Sequence, residues 1–152
     1  MATIAMAGRG VALVEWVLRL AVAGLFTYAG LIKALDTQQF AFDVHHYELT
    51  SWTVSVLVAV YLPWLEIFTG VALFVRRFYA GAVLIAAALG LTFLAAITSA
   101  WWRGLDITCG CFGRAENQTN FPRHIALNLA ILMAASLLAS LEARRVHDAG
   151  AK

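Results

Sequence analysis

The stretch Phe78–Trp102, FYAGAVLIAAALGLTFLAAITSAWW, consists of apolar and small side chains and contains no charged residue. A helix rises about 1.5 Å per residue, so about 20 such residues cross the roughly 30 Å hydrocarbon layer of a bilayer. The whole chain of 152 residues is 62% hydrophobic and 13% charged. Typical soluble domains have roughly 25% charged residues. So few charges cannot cover a soluble domain, and lipid must cover much of this one.

Three further apolar runs are found at Val11–Ile32, Trp52–Val75 and Pro122–Leu141. Backbone polar groups inside lipid need internal hydrogen bonds, so all four runs are predicted to be helices. The sequence therefore predicts one all-α domain over residues 1–152, an integral membrane four-helix bundle, with 142–152 as a cytoplasmic tail. The alternative for the first run is a cleaved signal peptide, but Glu15 and Arg19 would interrupt its apolar core.

Basic residues near the helix ends predict the orientation, because Lys and Arg accumulate on the cytoplasmic side. One side would carry six of them, Arg9, Arg76, Arg77, Arg144, Arg145 and Lys152. The other would carry four, Lys33, Arg103, Arg114 and Arg123. This bias predicts a multi-pass inner-membrane protein with both termini in the cytoplasm and the segment between helices three and four in the periplasm. The net charge of +2 is too small to indicate a nucleic-acid partner.

The segment between the first two runs, DTQQFAFDVHHYELT at residues 36–50, alternates polar and aromatic residues. One interpretation is a short amphipathic helix at the membrane interface, with Phe40, Val44 and Tyr47 on one side. The other is a solvated connector with a few anchoring aromatic side chains. The local pattern leaves both interpretations open.

The segment DITCGCFG at residues 106–113 holds the only two cysteines of the chain, Cys109 and Cys111. Gly110 has no side chain to clash and can take unusual backbone angles, so the two thiols can close a small ring. Such a tight ring departs from relaxed disulfide geometry, and strain makes the bond easier to reduce. On the exoplasmic side, where disulfides persist, the spacing predicts a redox-active pair in a loop between helices three and four.

Three charged residues near this pair are predicted to tune it. Arg103 at the end of helix three, or Arg123 at the start of helix four, would stabilise a thiolate if it were close. Asp106 would oppose this effect or shuttle protons. The candidate catalytic residues are therefore Cys109, Cys111, Arg103, Asp106 and Arg123. The alternatives are an incidental structural pair and half of a metal or iron–sulfur site. No metal site is predicted, because the chain has no third cysteine and its histidines make a poor ligand set.

Arg19 and Glu66 lie deep inside their apolar runs, where charges are costly unless they are paired or hydrated. Arg19 lies about 12 Å past the start of the first run, and Glu66 about 13 Å before the end of the second, at the helical rise. If these helices are adjacent and antiparallel, Arg19 should contact Glu66, and Glu15 should reach Arg19 from one turn earlier. The contact is interpreted either as an ion pair that fixes helix register or as a proton or cofactor site.

Small and polar residues in the runs indicate how the helices pack. Pro63 frees a backbone carbonyl in the second helix. Gly24, Gly30 and Gly70 are expected to permit close helix contact, and Asn128 is expected to hydrogen-bond to another helix.

Three stretches carry a family resemblance: RLAVAGLFTYAGLIKALD at 19–36, LPWLEIFTGVALF at 62–74 and RGLDITCGCFG at 103–113. Together they resemble the MauE family of methylamine utilisation proteins, within the wider DoxX-like group of four-helix membrane proteins. The resemblance runs over about 15–141. It implies that Cys109 and Cys111 are the redox pair. It carries over five more residues only as positions of a shared pattern, namely Arg19, Lys33, Glu66, Asp106 and Arg123. Of these, Arg19, Glu66 and Lys33 are the candidate cofactor-binding residues.

The resemblance implies an inner-membrane component linked to maturation of methylamine dehydrogenase, working with a periplasmic thioredoxin-like partner and in contact with membrane lipid. The leading hypothesis is thiol–disulfide exchange or electron transfer. No cofactor is certain, and a quinone between the helices is the one that this hypothesis leaves room for. The alternatives are a non-catalytic assembly factor or membrane anchor, and a DoxX-like subunit of a quinone-linked oxidoreductase. The last alternative would depend on Arg19 and Glu66.

Overall fold

The computed structural model describes residues 2–105 and 121–150, and within these ranges the chain is helical apart from short turns. The five helices are α1 (Ala2–Leu35), α2 (Thr37–His46), α3 (Trp52–Ala72), α4 (Tyr79–Trp102) and α5 (Phe121–Gly150). All except α2 contain a stretch long and apolar enough to cross a membrane, at Ala12–Leu35, Trp52–Ala72, Tyr79–Trp102 and Pro122–Arg144. The prediction of an all-α, multi-pass membrane protein is confirmed. The Cys-Gly-Cys loop, with Asp106, lies outside the described residues.

Large apolar side chains cover the outside of the long helices. Tyr61 is 70% exposed, Leu84 is 71% exposed and Trp102 is 90% exposed. Soluble monomers rarely expose wide apolar surfaces of this kind, because water disfavours them. A bilayer accepts them, so lipid contacts this surface.

Two helices extend beyond the apolar runs that predicted them. α1 begins at Ala2, before the first run, and α5 continues past Leu141 to Gly150. The residues after Leu141 are Glu-Ala-Arg-Arg, which are strong helix formers although they are not apolar. The apolar run therefore ends before the helix does. Residues 142–150 of the predicted tail continue α5.

The segment between the first two long helices folds as the short amphipathic helix α2. Asp36 caps its N-terminus, where its side-chain oxygen accepts a hydrogen bond from the backbone N–H of Gln39 at 3.1 Å. Phe40 is buried in a small cluster that includes Ala59 of α3, and Val44 packs against this cluster. The helical interpretation is the correct one, and the apolar face of α2 packs on the bundle.

The four long helices form a ring in which α1 and α4 each pack against both α3 and α5. Side chains from across the ring meet in its centre. Phe26 of α1, Val83 and Ala86 of α4 and Leu138 of α5 belong to one buried cluster. The centre of the bundle is therefore largely apolar, and a charge buried in it is costly unless it is paired.

α1 and α3 approach most closely where glycines replace larger residues. A Cβ atom on Gly30 would lie 2.6 Å from the carbonyl oxygen of Pro63, and one on Gly70 would lie 2.8 Å from the carbonyl oxygen of Ala23. These distances are too short for any side chain, so the expected close contact at Gly30 and Gly70 is confirmed. The expectation for Gly24 is wrong, because a Cβ atom there would have no other atom within 4 Å.

The C-terminus of α4 is closed by a Schellman motif. Gly104 has a φ of +63°, which favours glycine, and it follows the capping residue Arg103. The backbone N–H of Leu105 donates to the carbonyl oxygen of Ala100 at 3.1 Å. This cap stops the helix and fixes the backbone from which the side chain of Arg103 extends.

Candidate functional site

The candidate site lies at the end of the bundle that carries α2, here called the α2 end. Its centre is an ion pair between Lys33, in the last turn of α1, and Glu66 of α3. The Lys33 Nζ atom lies 2.5 Å from the Glu66 Oε1 atom, and the side chains are 2% and 1% exposed. Gly30 makes this pair possible, because it lets α1 lie against Glu66 one turn before Lys33. The two helices thus place opposite charges together inside the bundle.

The surroundings of this pair are mostly apolar and aromatic. The Lys33 Nζ atom is 4.8 Å from the ring centroid of Phe93 and 5.3 Å from that of Phe40. Both distances suit cation–π attraction, which adds to the ionic contact. The second carboxylate oxygen of Glu66, Oε2, is buried and has no hydrogen-bond partner among the described residues. Glu66 therefore has an acceptor oxygen that no described residue uses.

Two cavities meet at Lys33 and Phe93, which contribute to the walls of both. The larger has a volume of about 150 Å³ and lies between α2 and the helices α3 and α4. Its lining is Lys33, Phe40, Asp43, Val44, Tyr47, Leu49, Thr50, Val58, Leu62, Thr92, Phe93, Ala96 and Ile97. The smaller has a volume of about 30 Å³, and its polar wall residues are Lys33, Glu66 and Asn128. Lys33 therefore faces open space on two sides.

Asn128 of α5 is buried beside the smaller cavity. It was expected to bond to another helix, but its side-chain nitrogen donates to the backbone carbonyl of His124 in its own helix, at 2.9 Å. Polar side chains in a helix interior often bond to the carbonyl one turn earlier. The hydrogen bond of this side chain is therefore satisfied within α5 and does not join two helices.

α2 covers the larger cavity, and Arg103 joins its end to α4. The Arg103 Nη2 atom donates to the backbone carbonyl of Tyr47, and Nε donates to the carbonyl of Ser99 at 3.2 Å. Asp43 of α2 is also buried, and it accepts a hydrogen bond from Gln39 at 3.0 Å. Sequence reasoning missed Asp43, although it shares a helical face with Phe40 and Tyr47 at spacings of three and four residues.

Arg19 lies apart from this site, and the predicted Arg19–Glu66 contact is wrong. The Arg19 Nε atom is 3.5 Å from the Oε1 atom of Glu15, one turn earlier, as predicted. Its guanidinium carbon is 3.7 Å from the ring centroid of Tyr79, at the start of α4. Of the three candidate cofactor-binding residues, the structure brings Lys33 and Glu66 together and places Arg19 towards the opposite end.

The helix register explains this error. Gly30 lies against Glu66, and Thr27 lies against Gly70. Arg19 precedes Thr27 by about two turns and so falls beyond Gly70, near the turn between α3 and α4. The depth estimate assumed that the two apolar runs end at equal levels, and they do not.

The candidate catalytic residues lie mostly outside the described part of the chain. Cys109, Cys111 and Asp106 belong to 106–120, which the structure does not describe. Arg103 lies just before this segment, where it contacts α2, and Arg123 is exposed in the first turn of α5 just after it. The predicted closeness of either arginine to a thiol stays a prediction.

Comparisons with known proteins decide the family. The family model "Methylamine utilisation protein MauE" matches residues 11–141, which is most of the chain. The chain belongs to the MauE family. A curated member from Paracoccus denitrificans, "Methylamine utilization protein MauE", is 36% identical over 107 residues. The matched region covers 70% of this chain and 58% of that relative, so the MauE-family chain spans little more than half of the relative's length. No solved structure matches it.

The MauE match includes Lys33, Glu66 and both cysteines within its bounds. In this MauE-family chain the described part of the site offers two chemical capacities. Lys33 can donate hydrogen bonds from an ammonium with three N–H groups, of which Glu66 accepts one. The apolar walls of the larger cavity can enclose an uncharged group beside the Lys33 ammonium. The described residues contain no group of His, Cys, Asp or Glu that could hold a metal ion.

Proposed function

We propose that this MauE-family membrane protein carries out thiol–disulfide exchange through Cys109 and Cys111. The observation that carries the proposal is that the chain has only two cysteines and separates them by a single glycine. A disulfide across such a short spacing would close almost no loop and would add little stability. Strain would make it easy to reduce, which suits exchange better than structural cross-linking.

The helix ends that flank the segment support a position of the cysteine pair at the α2 end. Cys109 follows Leu105 by four residues, and Leu105 is held by the cap of α4. The segment returns to the bundle at Phe121, where α5 begins. Both attachment points are ends of membrane-crossing helices, and Arg103 lies at the first of them. We therefore expect the pair to act beside the polar site of the bundle.

The proposed reaction is a two-step exchange. A thiolate of the pair attacks one sulfur of a partner disulfide, forms a mixed disulfide and releases the other partner sulfur as a thiolate. The second cysteine of the pair, as a thiolate, then attacks the mixed disulfide. The products are a Cys109–Cys111 disulfide and a reduced partner dithiol, and the reverse sequence oxidises the partner. Either direction transfers two electrons between the two pairs.

Membership of the MauE family supports a proposal for the partner and the pathway. We propose a periplasmic thioredoxin-like protein as the partner, an inner-membrane location, cytoplasmic termini and a periplasmic Cys-Gly-Cys loop. The name of the Paracoccus denitrificans relative refers to methylamine utilisation. We extend that role to this chain as a proposal, with maturation of methylamine dehydrogenase as the step that needs disulfide handling.

Trapping of the mixed disulfide tests the proposed exchange. Cys109→Ser and Cys111→Ser, made separately, each leave one thiol that cannot complete the second step. One of them should therefore accumulate a mixed disulfide with a thioredoxin-fold protein, seen as a band shift that disappears after reduction. The partner is identified by mass spectrometry of that band. The double variant Cys109→Ser/Cys111→Ser is the matched control and should form no such band.

The same double variant separates exchange from a purely anchoring role. In a host that needs this chain to grow on methylamine, it should abolish growth while remaining at wild-type levels in the membrane. Full growth with the double variant would contradict thiol exchange. The chain would then act as a non-catalytic assembly factor or anchor.

A further inference from the structure

The larger cavity at the α2 end is large enough to hold a six-membered ring. Its volume is about 150 Å³. A protein cavity of about 150 Å³ lined by apolar side chains can bind benzene. Phe40 on one side and Phe93 on another supply aromatic walls, and Val44 and Ile97 supply aliphatic ones. A flat ring held between such walls would gain dispersion contacts on both of its faces.

Polar groups at this cavity indicate which kind of ring would bind. The Lys33 ammonium has N–H groups beyond the one directed at Glu66, so it can donate to an acceptor atom in the cavity. Glu66 already balances the positive charge of Lys33, and Asp43 adds a carboxyl group to the lining. An anionic head group would face Asp43, and among the described lining residues Lys33 is the one cation and is already paired. A neutral ring with a carbonyl oxygen fits the site better.

The position of the cavity restricts the ligand further. It lies between α2 and the membrane-crossing helices α3 and α4, with Val58 and Leu62 of α3 among its walls. A ligand that enters it between these helices must be soluble in the bilayer. A ring, a hydrogen-bond-accepting carbonyl and an apolar tail together describe a membrane quinone.

We propose that the cavity between α2, α3 and α4 binds the ring of a membrane-soluble quinone, with the Lys33 ammonium donating a hydrogen bond to a quinone carbonyl oxygen. Phe40 and Phe93 then lie beside both the ammonium and the ring. Binding itself requires no cysteine.

Electron transfer to this quinone rests on the proposed thiol exchange. Oxidation of the Cys109/Cys111 dithiol to a disulfide releases two electrons and two protons. Reduction of a quinone to a quinol takes up two electrons and two protons, so the two half-reactions balance. The quinone would then be the oxidant that regenerates the disulfide after each exchange.

A binding experiment tests the site without any measurement of activity. Purified protein in detergent micelles is titrated with decylubiquinone, and quenching of tryptophan fluorescence is followed. We expect saturable quenching in the wild type. Ala96→Phe puts a ring into the cavity and should weaken binding by about tenfold or more. The matched control is Ala95→Phe, one residue earlier at an exposed position, which should bind as the wild type does.

Competition in the wild-type protein is a second measurement that needs no variant. Decanol and decanoic acid carry a tail of similar length without the quinone ring, and neither should displace decylubiquinone at equal concentration. Displacement by either would show that an alkyl chain fills the cavity and would overturn the proposal, as would equal affinity in Ala96→Phe. Cys109→Ser/Cys111→Ser should bind decylubiquinone normally, so failure of thiol exchange and failure of quinone binding are read out separately.

Discussion

Lys33 and Glu66 form a buried pair whose two members depend on each other. Each charge alone would be costly inside the bundle, because a buried charge loses its hydration. Together they need only one short contact between Nζ and Oε1, at 2.5 Å, and the aromatic rings of Phe40 and Phe93 beside the ammonium. The pair therefore connects α1 to α3 and also presents a hydrogen-bond donor to both cavities.

Lys33→Met should destabilise the protein strongly. It leaves the Glu66 carboxylate buried without its cation, and we expect the free energy of unfolding to fall by about 3–5 kcal/mol. Lys33→Met/Glu66→Leu should recover most of the loss, because it removes both charges together. Unfolding of purified protein in detergent, by heat or denaturant, measures the difference. Arg144→Met, at an exposed position of α5, controls for loss of one positive charge. A wild-type unfolding free energy for Lys33→Met would show that the pair adds no net stability.

The sequence identified which residues need a buried partner more reliably than it identified the partner itself. Intramembrane position alone identified Arg19 and Glu66 as residues that need partners, and helical spacing correctly paired Arg19 with Glu15. The partner of Glu66 was not predictable from run boundaries, because α1 begins before its apolar run and α3 ends at Ala72. Register between two helices depends on where small residues let them touch, and here Gly30 sets it.

At the scale of elements, α1 and α3 form the contact on which the site is built. The carbonyl oxygen of Pro63 lies against Gly30, and the carbonyl oxygen of Ala23 lies against Gly70. A Cβ atom at either glycine would meet a backbone oxygen, and no change of side-chain rotamer could make room for it. Close approach of the helices is what brings Lys33 within reach of Glu66.

Gly30→Ala should separate the two helices. Its new Cβ atom would lie 2.6 Å from a backbone oxygen, and overpacking of this kind typically costs about 1–3 kcal/mol. Gly24→Ala is the matched control on the same helix. It adds a methyl group where no other atom lies within 4 Å, so it should leave stability unchanged or slightly raised. Unfolding in detergent compares the two variants. Equal stability of both would contradict the close contact at Gly30.

α2 shows what a local pattern can and cannot predict. The local pattern left a solvated connector and an amphipathic helix equally open, and for the helix it identified the apolar face of Phe40, Val44 and Tyr47. It did not indicate what that face covers, because the partner Ala59 is on another helix and the cavity is lined by residues of four helices. The same limit applies to Arg103. Its position at the end of α4 was predictable, and its contact with the carbonyl of Tyr47 was not.

At the scale of the whole molecule, the two ends of the bundle carry different elements. The α3–α4 turn lies at one end, and α2 lies at the other together with the attachment points of 106–120. Composition and run length predicted this architecture, because an apolar run inside lipid satisfies its backbone hydrogen bonds by forming a helix. The side of the membrane that each end faces depends on a six-to-four bias of basic residues, which the fold itself does not determine.

Thiol labelling measures that sidedness directly. A membrane-impermeant maleimide added to intact cells should label reduced Cys109 and Cys111 before lysis, because both lie between α4 and α5 at the proposed periplasmic end. The matched control is Phe78→Cys in a Cys109→Ser/Cys111→Ser background. Phe78 is 58% exposed in the α3–α4 turn, and its replacement keeps every basic residue that sets the orientation. This control should react only after lysis. The reverse pattern would place the cysteines in the reducing cytoplasm, where a stable cycle with an oxidised partner is disfavoured.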